Sequence, residues 1–273
     1  MAGEGQGAPL VQHFEMAVDL HYRAHTPCTL LTHIEPAHTN ALVVKQSVIE
    51  LTANYDDQPG FFRAAGLDNI GSRQWFTVAD EFHINLSAQV SVTREKSHWD
   101  GLAQDRLETL PGEVATYLFP SRYCPIEGPD QIAWHNFGDL QGGPLIETMA
   151  DWIAKNIRYD NGVSTSQTTA VDTLATRAGV CRDFAHVLIA MARARSIPAR
   201  MVASFSPHVK PQDFHAIAQV WLDGAWHLVD PTGMSRADNT IILAVGRDAT
   251  DIAFMTAFGM VTMLEQSVRV EPL

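Results

Sequence analysis

The dipeptide Asp-Gly at residues 223–224 sets the register of two β-strands and so limits how the C-terminal half of the chain can fold. Asp-Gly between two apolar, strand-like segments is typical of a two-residue type I′ hairpin turn. With this turn Leu222 faces Ala225, and the pairing continues outward along both strands. His215 and Asp230 then lie as diagonal neighbours on one face, with Cβ atoms about 7 Å apart or less. An imidazole–carboxylate hydrogen bond is therefore expected, and a register slip of one residue would remove it.

A cysteine stands where a helix is expected to begin. Apolar residues after Cys181 recur at helical spacing, which predicts a helix from about residue 181 to residue 195. A thiol at a helix N-terminus faces unpaired N–H groups and the positive end of the helix dipole, and both favour the nucleophilic thiolate. Asp183, in the same turn, complements the dipole but opposes a thiolate, and the sequence leaves that conflict open.

Cys181, His215 and Asp230 are the residue types that nucleophilic catalysis needs. The cysteine attacks, the histidine takes and returns the proton, and the aspartate fixes the imidazole tautomer. Each residue alone has an ordinary structural interpretation, as a small buried residue, a satisfied polar group and a turn residue respectively. The hairpin geometry that joins two of them favours the catalytic hypothesis.

The other two cysteines and His186 are predicted to be structural. The three cysteines form no disulfide framework and no C-x-x-C zinc pair. Cys28 is therefore not counted as a candidate nucleophile. Cys124 has no base close to it in the sequence. His186 lies five positions beyond Cys181, off the helical face of that residue. The low cysteine count fits a reducing compartment.

Composition and charge limit the partners, location and cofactors that are expected for this chain. The chain has 273 residues and a net charge of −12, which makes nucleic acid or an anionic membrane an unfavourable partner. No run of 18 apolar residues predicts a membrane span, and the Gly/Ala-rich start lacks the basic and apolar regions of a signal peptide. A cytoplasmic location is therefore expected. No Gly-rich phosphate loop or calcium loop is present, so no cofactor is predicted.

The chain divides into four parts by its pattern. Residues 1–10 are predicted to be a disordered tail. Residues 11–100 consist of short period-2 segments divided by turns, such as one at 55–60, and predict an antiparallel β-sandwich. Residues 101–142 contain repeated Pro and Gly and form a connector with one or two short helices, and residues 143–273 form the catalytic domain. The predicted fold class is therefore α+β.

Seven of the twelve histidines lie in the first 100 residues. A metal centre would need convergent ligands with supporting carboxylates. No ligand-like spacing such as H-x-x-x-H on a helix is present. The seven side chains are therefore interpreted as polar groups on the solvated faces of strands, and no metal site is predicted. They are His13, His21, His25, His33, His38, His83 and His98.

Three segments resemble the bacterial transglutaminase-like cysteine peptidase family: G-V-C-R-D-F-A-H, H-A-I-A-Q-V-W-L and W-H-L-V-D-P-T, which begin at residues 179, 215 and 226. The resemblance implies a papain-like core, with the nucleophile on a helix and the His and Asp on an antiparallel sheet, after an upstream β-rich domain. Cys181, His215 and Asp230 match the family's catalytic residues. The family usually has Trp two residues after the histidine, whereas this chain has Ile217, which puts the fit of the substrate in question.

The residues and the resemblance together predict a thiol-dependent acyl transfer at an amide bond of a peptide or protein. The expected enzyme is a hydrolase, a cysteine peptidase or amidase whose acyl-enzyme is released to water. Transfer to an amine, as in a transglutaminase, and a binding or assembly module without turnover are the alternatives. The oxyanion is expected at the Cys181 backbone N–H, with Tyr159 or Gln167 as a side-chain donor. The sequence assigns neither a particular substrate nor an oligomeric state.

Overall fold

The computed structural model describes residues 11–53, 61–95 and 97–273, and the predicted tail at 1–10 and turn at 55–60 lie outside the described residues. The described chain mixes helices with two antiparallel sheets, which confirms the predicted α+β class. None of the helices in these ranges is long and apolar enough to cross a membrane. The cytoplasmic location stays a prediction.

The described residues from Gln12 to Val92 lie mostly in four strands, β1 (Gln12–Thr32), β2 (Leu42–Ala53), β3 (Phe61–Ala65) and β4 (Ser72–Val92). The rest alternates short helices and strands and ends in two strands. In chain order these are α1 (Gly112–Ala115), α2 (Pro129–Phe137), α3 (Gly142–Asn156), β5 (Arg158–Tyr159), α4 (Ala170–Thr176), β6 (Ala178–Gly179), α5 (Cys181–Ala194), β7 (Ala199–Phe205), β8 (His215–Leu222), β9 (Ala225–Val229), β10 (Ile241–Gly246), α6 (Ala249–Ile252), β11 (Met255–Ala257) and β12 (Val261–Pro272). Short 3₁₀ turns lie at Leu67–Asn69, Leu107–Thr109, Thr116–Leu118 and Ala237–Asn239.

The two longest strands, β1 and β4, pair antiparallel along most of their length and form the centre of a six-stranded sheet. β1 continues through Pro27, with an irregular register between Ala24 and Cys28. An irregular register leaves residues unpaired. This is where a proline, which has no N–H to donate, is tolerated within a strand.

One face of this first sheet is apolar and buried, as the alternation along the sequence predicts. Every second side chain of β1 from Phe14 to Ala24 is buried, and so is every second side chain of β4 from Phe82 to Val92. Between them lie polar side chains that point to the opposite face, because successive residues of a strand alternate. The antiparallel β-sandwich predicted for residues 11–100 is thus found as one hydrogen-bonded antiparallel sheet with an apolar face and a polar face.

The last two strands return to the first sheet and extend it beyond β1. β12 pairs with β1 from Phe14↔Pro272 to Ala24↔Val261, and β11 pairs with residues 30–32. Residues 143–273 are predicted to form the catalytic domain, but these two strands lie at the edge of the first sheet, beside β1. There they pair with N–H and C=O groups of β1 that would otherwise have no hydrogen-bond partner in the sheet.

A four-stranded antiparallel sheet in the order β10-β7-β8-β9 forms the centre of the second half. Helix α5 packs against β7 and β8, and α2, α3 and α4 contact α5. The opposite face is buried as well, because Ile217 belongs to an apolar cluster with Ile242 and with Ala37 from the loop after β1. Part of the cover on this face therefore comes from the other half of the chain.

Candidate active site

Helix α5 begins at Cys181 and ends at Ala194, which confirms the helix expected from the apolar spacing. Its first turn is held by Asp183, whose fully buried carboxylate accepts a hydrogen bond from the Val180 N–H at 2.9 Å. Gly179 lies against the same side chain, since a Cβ atom added to it would be 2.7 Å from the Asp183 Cβ. The segment from residue 179 to residue 183 therefore sets the position of the thiol at the helix start.

Arg182 resolves the conflict between Asp183 and a thiolate. Its guanidinium lies 3.2 Å from the Asp183 carboxylate, and it also donates to Ser164 Oγ at 2.5 Å and to Thr165 O at 2.8 Å. The charge of the buried aspartate is thus paired with a cation. It does not face Cys181 as an isolated anion, which would be costly at a buried position.

Replacing Asp183 by alanine is expected to lower the free energy of unfolding by about 3 kcal/mol, because the change removes a helix cap and the buried partner of Arg182. Urea unfolding followed by circular dichroism measures the loss. The matched control is Asp172→Ala in α4. Asp172 accepts the Thr169 N–H at 2.9 Å in the same way but is exposed, and its loss should cost about 1 kcal/mol. Equal losses in the two variants would contradict the role given to burial.

The predicted hairpin register is confirmed. Leu222 pairs with Ala225, and Ala218 pairs with Val229 at the far end of β9. Residues 223 and 224 have φ angles of 50° and 72°, which are the positive values that a type I′ turn requires at both central positions. The turn residues therefore set the alignment of β8 with β9, as the sequence indicated.

This register brings His215 and Asp230 together where β8 begins and β9 has just ended. His215 Nε2 lies 2.7 Å from Asp230 Oδ2, and both side chains are almost fully buried. The Cys181 thiol lies beside the imidazole and contributes to the raised pKa of His215. The structure thus brings together the three residues selected from the sequence, with the imidazole between the carboxylate and the sulfur.

Four further hydrogen bonds hold the Asp230 carboxylate, and they come from residues that the sequence analysis did not select. Thr232 donates from its N–H and Oγ1 to Oδ1 at 2.9 and 2.7 Å, and Ser235 donates from its N–H and Oγ to Oδ2, both at 2.8 Å. Burial raises the pKa of Asp230, but His215 and Thr232 outweigh it and the pKa lies below its ordinary value. Asp followed two residues later by Thr is typical of an Asx turn, a signal that could have found Thr232.

His215 is expected to stay protonated well above neutral pH. Burial lowers the pKa of His215, but hydrogen bonds to Asp230 and Cys181 outweigh burial and raise it to about 10. Because this value exceeds the ordinary 6.5, the interaction stabilises the fold fully below about pH 6.5 and is lost as the pH rises through about 10. Histidine-selective ¹⁵N NMR measures the titration, with His215→Gln to assign the signal. Asp230→Asn should lower the midpoint, and a wild-type midpoint near 6.5 would contradict the observed contacts.

A cleft of about 410 Å³ lies beside Cys181 and His215. Part of its wall is apolar, and the rings of Phe214 and Phe254 stack there with centroids 4.1 Å apart. Gln266 of β12 also lines the cleft and donates a hydrogen bond to Asp213 at 3.0 Å. β12, the last strand of the chain and part of the first sheet, therefore forms part of the wall of the cleft.

Of the two side chains predicted as oxyanion donors, Tyr159 reaches the nucleophile and Gln167 does not. The Tyr159 hydroxyl lies close to the backbone N–H and the thiol of Cys181, and both affect its pKa. Burial and the neighbouring Cys181 raise the pKa of Tyr159 to about 12, so its hydroxyl keeps its proton at neutral pH. Gln167 is exposed in the turn before α4 and does not line the cleft.

Cys28, Cys124 and His186, which are predicted to be structural, are all buried. Cys28 is buried in the first sheet, and Cys124 is fully buried, which raises its pKa to about 12. The His186 ring stacks on Tyr123, and burial lowers the pKa of His186 to about 3. Ile217, at the position where the resembled family usually has Trp, is buried and does not line the cleft.

Comparison with known proteins agrees with this fold. Residues 143–231 match the core domain of the transglutaminase-like superfamily. The crystal structure of a candidate cysteine protease from Cytophaga hutchinsonii is similar over 97% of this chain and 91% of that chain, with a TM-score of 0.88 and 27% sequence identity. These matches support a bacterial transglutaminase-like family for the chain, with residues 143–231 as the part that the superfamily model covers.

Two uncharacterized mycobacterial proteins are similar to part of the chain. The protein from Mycobacterium leprae is 32% identical over 114 residues, which are 38% of this chain and 40% of that protein. The protein from Mycobacterium tuberculosis is 30% identical over 162 residues, which are 52% of this chain and 51% of that protein. The chain thus spans about half the length of the curated relatives it matches, or less.

Proposed function

We propose that the protein catalyses thiol-dependent acyl transfer at an amide bond of a peptide or protein, as a cysteine peptidase or amidase. The observation that supports this proposal is the placement of Cys181 beside His215, whose imidazole is hydrogen-bonded to Asp230, at the edge of the cleft. An imidazole that contacts both a thiol at a helix N-terminus and an ionised carboxylate is the arrangement that activates a sulfur nucleophile.

In the first step the Cys181 sulfur attacks the amide carbon, and the π electrons of the carbonyl move to its oxygen. The N–H at the start of α5 is the donor for this oxyanion. His215 gives its proton to the leaving nitrogen as the C–N bond breaks, which leaves a thioester on Cys181 and a free amine. In the second step His215 takes a proton from water, whose oxygen attacks the thioester. The C–S bond breaks, the acid is released, and the Cys181 sulfur and the protonated His215 are restored.

The cleft supports an extended peptide segment as the substrate. A volume of about 410 Å³ is in the range that holds a small ligand or a few side chains. The stacked Phe214 and Phe254 rings form an apolar part of the wall beside the nucleophile. We therefore expect a substrate with an apolar side chain close to the amide that is cleaved.

Tyr159 is proposed as the side-chain donor for the oxyanion. Its hydroxyl lies close to the Cys181 N–H, so a substrate carbonyl oxygen bound at that N–H comes within reach of the tyrosine hydroxyl. Tyr159→Phe is expected to lower kcat by about 10²-fold and to leave thiol labelling unchanged. Tyr123→Phe is the matched control, because that hydroxyl donates to Ser166 O at 2.6 Å and not to the nucleophile. An unchanged kcat in Tyr159→Phe would contradict the role.

A substrate screen tests the proposed activity. Peptides, including glutamine-containing ones, are incubated with the protein in the presence and absence of an added primary amine. Mass spectrometry of the products distinguishes the acid expected from hydrolysis from the substituted amide expected from transfer. The proposal predicts the acid in the absence of amine. If no peptide gives a product or a thioester on Cys181, the proposal fails and a binding module is favoured.

A further inference from the structure

Three metal-ligating side chains converge on the polar face of the first sheet, outside the active-site cleft. His21 on β1 and His83 on β4 are directly opposite in register, and their rings stack with centroids 3.8 Å apart. Glu81 lies two residues before His83, so both side chains point to the same face of β4. Its Oε1 is 2.8 Å from His21 Nε2. One ligand atom from each of the three residues lies within 4.8 Å of the other two.

The arrangement suits a tetrahedral metal ion. Two ligands stand at positions i and i+2 of one strand, and the third stands on the neighbouring antiparallel strand. Two imidazole nitrogens and one carboxylate oxygen are a set that Zn²⁺ binds with bonds of about 2.0–2.2 Å, whereas Mg²⁺ and Ca²⁺ prefer oxygen alone. The His21 and His83 side chains are 20% and 42% exposed, so both rings have room to turn toward one ion.

Charged side chains lie beside two of these three residues. Arg23 lies 2.8 Å from Glu81 Oε2, the oxygen that does not contact His21. Asp19 Oδ1 is 3.9 Å from His83 Nδ1. A carboxylate beside the second nitrogen of a ligating histidine is the usual way in which its ring is oriented.

We propose that His21, Glu81 and His83 form a binding site for Zn²⁺. The ion replaces the proton that His21 shares with Glu81, and Oε1 and one nitrogen of each ring bind it. Water or Glu265, which is opposite His21 on β12, completes the coordination. The site uses no residue of the amide chemistry and does not depend on it. Local spacing along the sequence does not indicate this site. Its ligands are brought together by the pairing of strands about sixty positions apart along the chain.

The test is a titration of Zn²⁺ into the full chain, in competition with a chromophoric zinc indicator. All variants carry Cys181→Ser, so that the active-site thiol cannot bind the metal. We expect one zinc ion per chain, no comparable binding of Mg²⁺, and a loss of at least about tenfold in zinc affinity in His83→Gln. The matched control is His25→Gln, because His25 is an exposed histidine on the same strand and the same face. It should keep the full affinity.

Glu81→Gln keeps the shape of the third ligand but removes its charge, and it should also weaken zinc binding. Thermal unfolding without metal shows that each variant is folded before its affinity is compared. Equal zinc affinity in His83→Gln and in the parent would overturn the proposal. So would an absence of zinc binding in the parent, or a loss in His25→Gln as large as the loss in His83→Gln.

Discussion

Replacing Cys181 by serine is expected to lower kcat/KM for amide turnover by about 10⁴-fold or more. The reason is that a hydroxyl is a much poorer nucleophile at neutral pH than a thiolate next to an imidazole. Serine is nearly isosteric with cysteine, so the helix start and the cleft should keep their structure. Turnover of the best peptide from the substrate screen measures the loss, and mass spectrometry shows whether any acyl-enzyme still forms.

Cys28→Ser is the control for this substitution, because Cys28 is a buried cysteine of the first sheet that does not line the cleft. Its replacement should leave kcat/KM at the wild-type value. Full turnover in Cys181→Ser would show that the nucleophile has been assigned to the wrong residue. A loss of the same size in both variants would point to a general effect on folding.

Asp230→Asn is expected to lower kcat by about 10³–10⁴-fold. The carboxylate accepts five hydrogen bonds, from His215, Thr232 and Ser235. An amide has one oxygen, so its NH₂ group must face either the two Thr232 donors or the imidazole together with the two Ser235 donors. In the second case His215 accepts at Nε2, so its other ring nitrogen carries the proton and cannot take one from Cys181. The substitution therefore disturbs the proton transfer without removing the side chain.

The single-turnover rate of thioester formation measures this effect, and urea unfolding measures any accompanying loss of stability. Ser235→Ala is the matched control, since it removes one hydroxyl donor to Oδ2 and leaves the carboxylate in place. It should slow thioester formation far less than Asp230→Asn does. A wild-type rate in Asp230→Asn would mean that the aspartate does not orient the histidine.

Local signals were enough to predict the contact between His215 and Asp230. The Asp-Gly turn sets the alignment of its two strands, and a period of two then decides which side chains share a face. The helix that begins at Cys181 follows in the same way from apolar spacing over one turn after another. These parts of the site were predictable because each depends on residues close together along the chain, within one hairpin or one helix.

Contacts between distant segments were not predictable in this way. No local pattern indicates that β12 pairs with β1, that Gln266 reaches the cleft, or that His21 stands opposite His83. The contact of Tyr159 with Cys181 depends on a parallel pairing of β5 with β6, each only two residues long. Such short strands leave no periodic signal, so Tyr159 could be selected as a candidate only by its chemistry.

The rate of carboxymethylation of Cys181 by iodoacetamide, followed against pH, tests most directly whether His215 activates this thiol. Peptide mapping by mass spectrometry assigns the label to Cys181 and separates it from Cys28 and Cys124. The account predicts rapid labelling well below pH 8.5, the range of an ordinary thiol, and loss of that rapid labelling in His215→Ala. Labelling that follows an ordinary thiol titration in the wild type, or that is unchanged in His215→Ala, would contradict it.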